Sequence, residues 1–317
     1  MLHFDAAALR ERLPMVALVD ALRAMFASGC EVPLRHTHTI GHAGTVLLMP
    51  AWREGGRFGI KTVGIFPGNG ALNLPAINAV YALFSAQTGL PLAVMDGGEL
   101  TARRTAAASA LAASYLARAD AEHLLLVGAG RVASLLPEAM RAVRPGLRRV
   151  SVCNRSSAHA QALVATLCEQ GWQADHVTDL QAAVRSADIV SCATLAGAPL
   201  VLGNWLTQGT HLDLIGSFTP TMREADGVCM ARARVFVDTD EALTKSGDIL
   251  QAIAEGHFLP TQLQATLAQL CRVERRGRIN DSDITLFKSV GTALEDLAAA
   301  ELALGAYGAT DNPTIDP

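Results

Sequence analysis

The chain has 317 residues, half of them hydrophobic, and a formal net charge of −4. This length suits one large or two medium domains, and the slightly acidic balance gives no electrostatic basis for binding nucleic acid or an anionic membrane surface. No apolar run is long enough to span a membrane, and the six cysteines include no C-x-x-C pair. We therefore expect a cytoplasmic protein in a reducing compartment, without a membrane partner.

The first third of the sequence predicts an α+β unit. Apolar residues recur at helical spacing from about residue 14 to residue 28, and strand-like alternation follows from Arg35 to about Pro50. Further strands are predicted around Gly59–Ile65, Ala76–Phe84 and Pro91–Met95. These segments favour a sheet built mostly of antiparallel hairpins.

An Ala-rich helix follows, which we expect Thr101 to cap and which ends near Ala117. This start places Arg103 and Arg104 in the first turn, where the helix dipole disfavours cations. The two arginines therefore indicate an anion bound nearby, unless they reach solvent or pair with Glu99.

Beyond this helix the pattern alternates between strand and helix, which predicts a doubly wound parallel sheet. The strands are expected at Leu124–Val127, Arg149–Cys153, Ile189–Cys192, His211–Ile215 and Val235–Val237. A last amphipathic helix is expected from Ser289 to about Leu304, packing against the first unit.

The segment from Leu124 to Ala133 combines a buried strand, a glycine turn and the start of a helix. Gly128, Gly130 and Ala133 match the G-x-G-x-x-G/A fingerprint of dinucleotide-binding folds. Gly128 permits the tight turn, Gly130 lets the backbone approach a pyrophosphate, and Ala133 lets the helix pack close to the strand. The N–H groups and dipole of the helix then face the phosphates.

The end of the next strand bears on which nicotinamide cofactor binds. An NAD-specific site has an acidic residue there for the ribose 2′-hydroxyl, but this chain has Asn154-Arg155-Ser156. Arg155 suits a 2′-phosphate, so NADP(H) is favoured and NAD(H) stays possible, the alternative being a solvated loop arginine. The residues predicted to bind the cofactor are Gly128, Gly130, Arg131, Val132, Asn154, Arg155, Ser156, Thr194 and Ser289.

Two other features carry weaker signals. Lys61 lies inside a strand pattern with apolar neighbours, although a strand lysine usually points to solvent. His36, His38 and His42 invite a zinc site, but no nearby carboxylate or cysteine completes it, so we predict no metal.

Short motifs in a fixed order along the chain carry a family resemblance. They include Val32-Pro33-Leu34-Arg35, Gly59-Ile60-Lys61, Met95-Asp96-Gly97, Leu100-Thr101 with Arg104-Thr105-Ala106-Ala107, Cys153-Asn154-Arg155, Ser246-Gly247-Asp248 and Phe287-Lys288-Ser289-Val290-Gly291. On these motifs the sequence resembles the ornithine cyclodeaminase/mu-crystallin family over nearly its whole length.

The resemblance implies an α/β protein with a doubly wound Rossmann domain plus an α+β substrate-binding and dimerisation domain. The substrate-binding and dimerisation domain would comprise residues 1–118 together with 292–317. The NAD(P)-binding Rossmann domain would comprise residues 119–291. It also implies a homodimer that acts on small imino or amino acids.

By position, Arg35 and Arg104 resemble the arginines that hold the substrate α-carboxylate in this family, and Lys61 resembles its active-site lysine. A guanidinium grips a carboxylate bidentately and fixes the α-carbon. A partly buried lysine beside arginines has a lowered pKa and can exchange a proton with the substrate nitrogen.

One departure from the family bears on the reaction. Ornithine cyclodeaminases carry an aspartate where this chain has Phe218, although Asp213 or Glu224 is a conceivable substitute. The leading hypothesis is therefore an NAD(P)H-dependent reductase of cyclic imino acids, of the Δ1-pyrroline-2-carboxylate or Δ1-piperideine-2-carboxylate type. The alternatives are an ornithine cyclodeaminase, an alanine-dehydrogenase-like enzyme, and a non-catalytic NADP(H)-binding protein like the crystallins.

Overall fold

The computed structural model describes residues 1–72 and 74–305. Contacts divide the chain into two compact units, Met1–Arg104 with the described residues from Thr292 onward, and Thr105–Gly291. The first boundary therefore falls earlier than residue 118 and lies inside a helix. Within the described ranges, no helix is long and apolar enough to cross a membrane.

The regular elements are numbered in chain order. The strands are β1 (Leu2–Phe4), β2 (His36–Ile40), β3 (Gly44–Trp52), β4 (Arg57–Ile65), β5 (Ile77–Ser85), β6 (Pro91–Asp96), β7 (His123–Val127), β8 (Arg149–Cys153), β9 (Gln173–His176), β10 (Ile189–Cys192), β11 (His211–Leu214), β12 (Arg234–Val237), β13 (Ala265–Thr266) and β14 (Thr285–Lys288). The helices are α1 (Ala6–Arg12), α2 (Met15–Ser28), α3 (Gly97–Leu116), α4 (Arg131–Val143), α5 (Ser157–Glu169), α6 (Leu180–Ser186), α7 (Gly227–Arg232), α8 (Ala242–Lys245), α9 (Gly247–Ala254), α10 (Leu267–Cys271) and α11 (Ala293–Leu304).

The first unit is built on a six-stranded sheet in the order β1-β6-β5-β4-β3-β2. Every neighbouring pair is antiparallel except β1 with β6, which confirms the predicted antiparallel hairpins. Helix α11 packs on β3, β4 and β5 and against α2, so one face of the sheet is covered by helices. Alternate residues of each strand therefore enter a core.

Helix α3 begins four residues before the predicted cap, so the assignment of Thr101 as N-cap is wrong. Asp96, at the end of β6, accepts a hydrogen bond from the backbone N–H of Glu99 at 2.7 Å. Asp96 accepts from the N–H three residues on, as an N-cap residue does, and aspartate is also a better N-cap residue than threonine. Arg103 and Arg104 consequently lie in the second turn and not in the first.

The second unit is an eight-stranded parallel sheet in the order β13-β12-β14-β11-β10-β7-β8-β9. The chain runs outward from β7 through β8 to β9, then returns to β10 on the other side of β7. This confirms the doubly wound prediction, and the order reverses between β7 and β10. Ligands of such folds bind at the carboxyl ends of the strands at this reversal.

Some elements of the second half differ from expectation. Strand β9 reads Gln-Ala-Asp-His and has too little apolar character to be recognised, although it pairs with β8. Strand β14 occupies the sequence just before the predicted start of the last helix, and Gly291 follows it with φ of 75°. Helix α11 therefore begins at Ala293 behind the cap Thr292, later than the predicted Ser289.

Candidate active site

Lys61 lies on the helix-covered face of the first sheet. The alternation that buries Gly59 and Val63 on β4 also buries Lys61, whose exposed fraction is 2 %. An ammonium group without a partner is expensive to bury, so the contacts of Lys61 define the site.

Its partners come from the first turn of α11. Lys61 Nζ donates to Asp296 Oδ1 at 2.9 Å and lies 2.7 Å from Asp296 Oδ2. Arg104 Nε donates to the same Oδ1 at 2.9 Å, and Arg104 Nη1 donates to Glu295 Oε2 at 2.5 Å. All four side chains are buried. We call this balanced set of two cations and two carboxylates, Lys61, Arg104, Glu295 and Asp296, the Lys61 cluster.

Burial and mutual attraction act in opposite directions on the pKa values of this cluster. Burial lowers the pKa of Lys61 to about 8, with Asp296 opposing the shift and Arg104 adding to it. Burial disfavours the charged form of Asp296, yet Lys61 and Arg104 hold the pKa of Asp296 below its usual value. Burial also opposes the charge of Arg104, but the two carboxylates outweigh it and raise the pKa of Arg104. At neutral pH Lys61 is therefore an ammonium that is ready to release its proton.

The two neighbouring arginines of α3 have different roles. Arg103 Nε donates to the carbonyl oxygen of Leu13 at 2.9 Å, and Arg103 Nη1 lies 3.9 Å from Glu99. The expected pairing with Glu99 thus applies to Arg103. Arg104 is held by the two acids of α11 instead. The prediction that both arginines lie in the first turn of the helix was wrong, so the helix dipole does not explain why they need anionic partners.

Arg35 immediately precedes β2, at the edge of the sheet. His36 on β2 pairs with Leu48 on β3, and Met49 on β3 pairs with Lys61 on β4, so β2 is two strands away from the strand of Lys61. The backbones of β2 and β4 are therefore roughly 10 Å apart across the sheet. The structure thus joins Lys61 and Arg104 through the shared carboxylate of Asp296, and leaves Arg35 beside the edge strand of the same sheet.

The sequence reasoning missed the two acids, Glu295 and Asp296. Asp296 is 235 positions from Lys61, and acidic residues in a first turn are ordinary because they complement the helix dipole. The one available signal is that both stand in a helix whose other residues are nearly all Ala or Leu. Two charges in such a buried helix require partners.

The glycine turn after β7 has the geometry that a dinucleotide requires. Gly128 has φ of 114°, and a Cβ there would lie 2.6 Å from the carbonyl oxygen of Ala193. A Cβ on Gly130 would meet no described atom within 4 Å, which leaves space for a ligand. Helix α4 starts there without a side-chain cap, so its first N–H groups are available to phosphate. These residues fit the pyrophosphate of a dinucleotide.

The other predicted cofactor residues lie at carboxyl ends of the second sheet or at the start of α4. Thr194 follows β10, and its Cγ2 would be 3.3 Å from a Cβ on Gly128. Arg131 is exposed and Val132 is half-buried in the first turn of α4. Ser289 follows β14 and donates its backbone N–H to Leu214 at 3.1 Å.

The segment after β8 presents an arginine to solvent. Asn154 Nδ2 donates to the carbonyl oxygen of Ser156 at 3.0 Å, and Ser156 caps α5 through the N–H of His159. Arg155 between them is exposed, and no hydrogen bond or ion pair joins it to the residues described. The turn is thus fixed while its guanidinium stays available.

The residue at the position of the cyclodeaminase aspartate is apolar and packed. Phe218 is half-buried against the hydrophobic core of the second unit. The two possible substitutes are occupied elsewhere: Asp213 accepts from Ser109 and Ser191, and Glu224 accepts from Thr194 and Gly216. Both carboxylates are fully buried.

The histidines singled out in the sequence lie on or beside the edge strand β2. His36 and His38 share a face, with ring centroids 6.5 Å apart, and His42 lies in the following turn. In the part of the chain that is described, no three His, Cys, Asp or Glu side chains are grouped to bind a metal.

Comparison with known proteins agrees with this arrangement. Residues 6–305 match the model of the ornithine cyclodeaminase/mu-crystallin family. The chain is 43 % identical over 281 residues to a Δ1-pyrroline-2-carboxylate reductase of Paracoccus denitrificans, covering 84 % of this chain and 88 % of the relative.

Two solved structures share the fold over almost the whole length. One is the Δ1-pyrroline-2-carboxylate reductase of Thermococcus litoralis with NADH and L-proline, with a TM-score of 0.90, 32 % identity and 96 % of each chain covered. The other is an archaeal alanine dehydrogenase dimer with bound NAD, with a TM-score of 0.89, 29 % identity, and 96 % of this chain and 94 % of that one covered. The chain belongs to the ornithine cyclodeaminase/mu-crystallin family, as its motifs predicted.

Proposed function

We propose that this protein is an NAD(P)H-dependent reductase of cyclic imino acids such as Δ1-pyrroline-2-carboxylate. The observation that carries the proposal is the contact of Lys61 and Arg104 with one carboxylate oxygen of Asp296. A proton donor and a carboxylate-binding group stand side by side there. A 2-imino acid has the matching pair of groups, because its C=N nitrogen and its carboxylate are attached to the same carbon.

Arg104 is proposed to bind the substrate carboxylate. Its Nε and Nη1 are held by Asp296 and Glu295, so the orientation of the guanidinium is fixed before substrate arrives. Among the residues described, these hydrogen bonds use Arg104 Nε and Nη1, which leaves Nη2 available to bind the substrate. Arg35, which precedes the edge strand β2 of the same sheet, is proposed as a second carboxylate contact.

Lys61 is proposed to supply the proton. Its ammonium is charged at neutral pH and its pKa is about 8, so transfer of a proton to the imine nitrogen is easier than from an exposed lysine. Protonation makes the C=N carbon more electrophilic. When bound, the reduced nicotinamide supplies the hydride for that carbon.

NADP(H) is proposed as the preferred cofactor, with NAD(H) as the other candidate. Exposed Arg155 follows β8, where a carboxylate would bind the ribose hydroxyl of NAD. The similar structures were solved with NADH or NAD, so the preference rests on this residue alone.

A homodimer is also proposed. The face of the first sheet opposite α11 carries apolar residues in contact with solvent, and Val80 and Trp52 are 43 % and 38 % exposed. Sedimentation of the pure protein is expected to give a dimer, and Val80→Asp a monomer. The control is Val273→Asp in the second unit, where Val273 is 84 % exposed. A monomeric wild-type protein would contradict the dimer.

The test of the activity is a panel of substrates followed by nicotinamide absorbance. We expect oxidation of NAD(P)H with Δ1-pyrroline-2-carboxylate or Δ1-piperideine-2-carboxylate. Oxidation with pyruvate and ammonia alone would favour an alanine dehydrogenase. Ammonia release from ornithine with catalytic cofactor would favour a cyclodeaminase, which Phe218 argues against. Cofactor binding without any turnover would favour a crystallin-like binding protein.

A further inference from the structure

Glu224 connects two loops at the carboxyl edge of the second sheet. Its Oε1 accepts hydrogen bonds from the backbone N–H of Thr194 at 2.7 Å and from the Thr194 hydroxyl at 2.8 Å. Its Oε2 accepts from the backbone N–H of Gly216 at 2.6 Å. Thr194 follows β10 and Gly216 follows β11, so one buried carboxylate holds the exits of two neighbouring strands.

The three groups around this side chain all donate, so the position requires an acceptor at both oxygens. A glutamine has one acceptor oxygen and would turn its NH₂ group toward an N–H or an O–H. Space is equally restricted, because a Cβ on Gly216 would lie 2.5 Å from Glu224 Oε1 and 1.9 Å from the Thr194 carbonyl oxygen. The contact therefore requires a carboxylate at position 224 and a glycine at position 216.

The backbone that carries the Glu224 side chain is held in place by Asp248. Asp248 Oδ1 accepts from the backbone N–H of Glu224 at 2.8 Å and of Ala225 at 3.0 Å. Lys288 Nζ lies 3.6 Å from Asp248 Oδ2 and donates to the carbonyl oxygen of Leu214 at 2.9 Å. Glu224, Asp248 and Lys288 are all buried. We call these three residues the Glu224 cluster.

Thr194 connects this cluster to the glycine turn. A Cβ on Gly128 would be 3.3 Å from Thr194 Cγ2 and 2.6 Å from the Ala193 carbonyl oxygen, so the two loops face each other closely. Any movement of Thr194 would change the space beside the turn where the pyrophosphate is expected.

We propose that Glu224 is a positioning residue for the nicotinamide dinucleotide, holding the Thr194 and Gly216 loops in the conformation that binds it. This inference rests on the proposed cofactor site, but it does not depend on the substrate. Glu224 acts through backbone groups and does not react.

The ionisation of Glu224 adds a pH dependence to this role. The pKa of Glu224 is raised to about 7, chiefly by burial; Lys288 on β14 and the Thr194 contacts oppose this shift, and Asp248 on α9 adds to it. Above this pH the carboxylate accepts all three hydrogen bonds. Below it, the added proton competes with a donor that faces the same oxygens. Cofactor affinity is therefore expected to weaken as the pH falls through 7.

The experiment is titration of the full-length protein with NADH, followed by nicotinamide fluorescence between about pH 6 and about pH 8.5. NADH is used because it lacks the 2′-phosphate, which itself titrates in this range. For wild-type protein we expect weaker binding at the acid end. For Glu224→Gln we expect a Kd raised about tenfold at the alkaline end, since a charge-assisted hydrogen bond is replaced by a mismatch, and a reduced dependence on pH.

Asp213→Asn is the matched control. Asp213 is an equally buried carboxylate on β11, with a pKa raised by burial to about 6, but its partners are the hydroxyls of Ser109 and Ser191. A serine hydroxyl can rotate to accept a hydrogen bond from the NH₂ group of an asparagine as readily as it donates to a carboxylate. This variant is therefore expected to bind NADH as the wild type does.

Two results would overturn the proposal. One is a Glu224→Gln protein that binds NADH within twofold of wild type with the same pH dependence. The other applies even if that variant does not fold: wild-type and Asp213→Asn affinities that stay constant over the pH range. Absence of imine reduction by the wild-type protein, with its NADH binding as expected, would instead count against the proposed reaction and leave the role of Glu224 standing.

Discussion

The two units each contain a buried charged cluster, and the clusters are built differently. In the Lys61 cluster, side-chain cations meet side-chain carboxylates, and the ammonium of Lys61 keeps a transferable proton. In the Glu224 cluster, the central carboxylate meets backbone N–H groups and a hydroxyl. The first arrangement suits chemistry on a bound molecule. The second suits fixing the shape of loops.

This difference has an energetic consequence. Removing one partner of a buried ion pair leaves the other charge uncompensated and costs about 3–5 kcal/mol. Removing the acceptor of backbone N–H groups costs less per group but allows the loops to move. Variants of the Lys61 cluster should therefore affect turnover, and variants of the Glu224 cluster should affect cofactor binding.

The largest expected effect is that of Lys61→Ala. Without the proton donor, turnover of the cyclic imine should fall about 10³-fold, within the usual range for loss of a general acid. The NADH dissociation constant should stay the same, because Lys61 belongs to the other cluster. The control is Lys245→Ala, since Lys245 pairs with Glu241 and is partly exposed. Turnover at the wild-type rate would remove Lys61 from the mechanism.

Arg104→Lys tests the carboxylate contact. A lysine keeps the charge but loses the planar fork, so we expect the KM for the imine to rise about 100-fold with a smaller change in kcat. Arg103→Lys changes the adjacent buried arginine, which contacts Leu13 and Glu99, and should leave the KM nearly unchanged. Equal effects of both substitutions would indicate a structural role for Arg104.

Asp296→Asn tests how the cluster sets the protonation of Lys61. In wild type, kcat/KM should decrease as the pH rises through about 8, since Lys61 loses its proton there. Asp296 opposes the lowering of the pKa of Lys61, so its removal should move this decrease to lower pH and reduce kcat/KM at neutral pH about tenfold. Measured pH profiles that coincide would show that Asp296 does not control Lys61.

Arg155→Ala should have the smallest effect. Loss of an exposed contact to the 2′-phosphate should raise the KM for NADPH about fivefold to tenfold and leave the KM for NADH unchanged. Arg148→Ala, which removes an exposed arginine paired with Glu122 in the same unit, is the control. If NADPH and NADH are affected alike, Arg155 does not select the cofactor.

The sequence predicts those parts of the two clusters that have a local signature. The glycine turn is recognisable because its residues are contiguous and their spacing follows from backbone geometry. Lys61 and Arg104 were identified through family motifs, since a lysine in a strand pattern does not by itself indicate burial. Their shared contact with Asp296 was not predictable, because it requires the register of β4 and the position of α11.

The roles of the acids were missed for a related physical reason. Glu295 and Asp296 look like ordinary first-turn residues of a helix, and Glu224 was considered only as a substitute for the cyclodeaminase aspartate. Each becomes special only through partners that are distant in sequence, such as Thr194, 30 positions before Glu224. The premise that put Arg104 at a helix start was wrong, although the expectation that it needs an anion agrees with its contacts to α11.

The most direct test of the account is to measure NADH consumed and L-proline formed in one sample of pure protein and Δ1-pyrroline-2-carboxylate, beside the Lys61→Ala variant. The account predicts mole-for-mole conversion by the wild type, and NADH binding without conversion by the variant. Absence of conversion by the wild type with either ring size, or equal conversion by the variant, would contradict it.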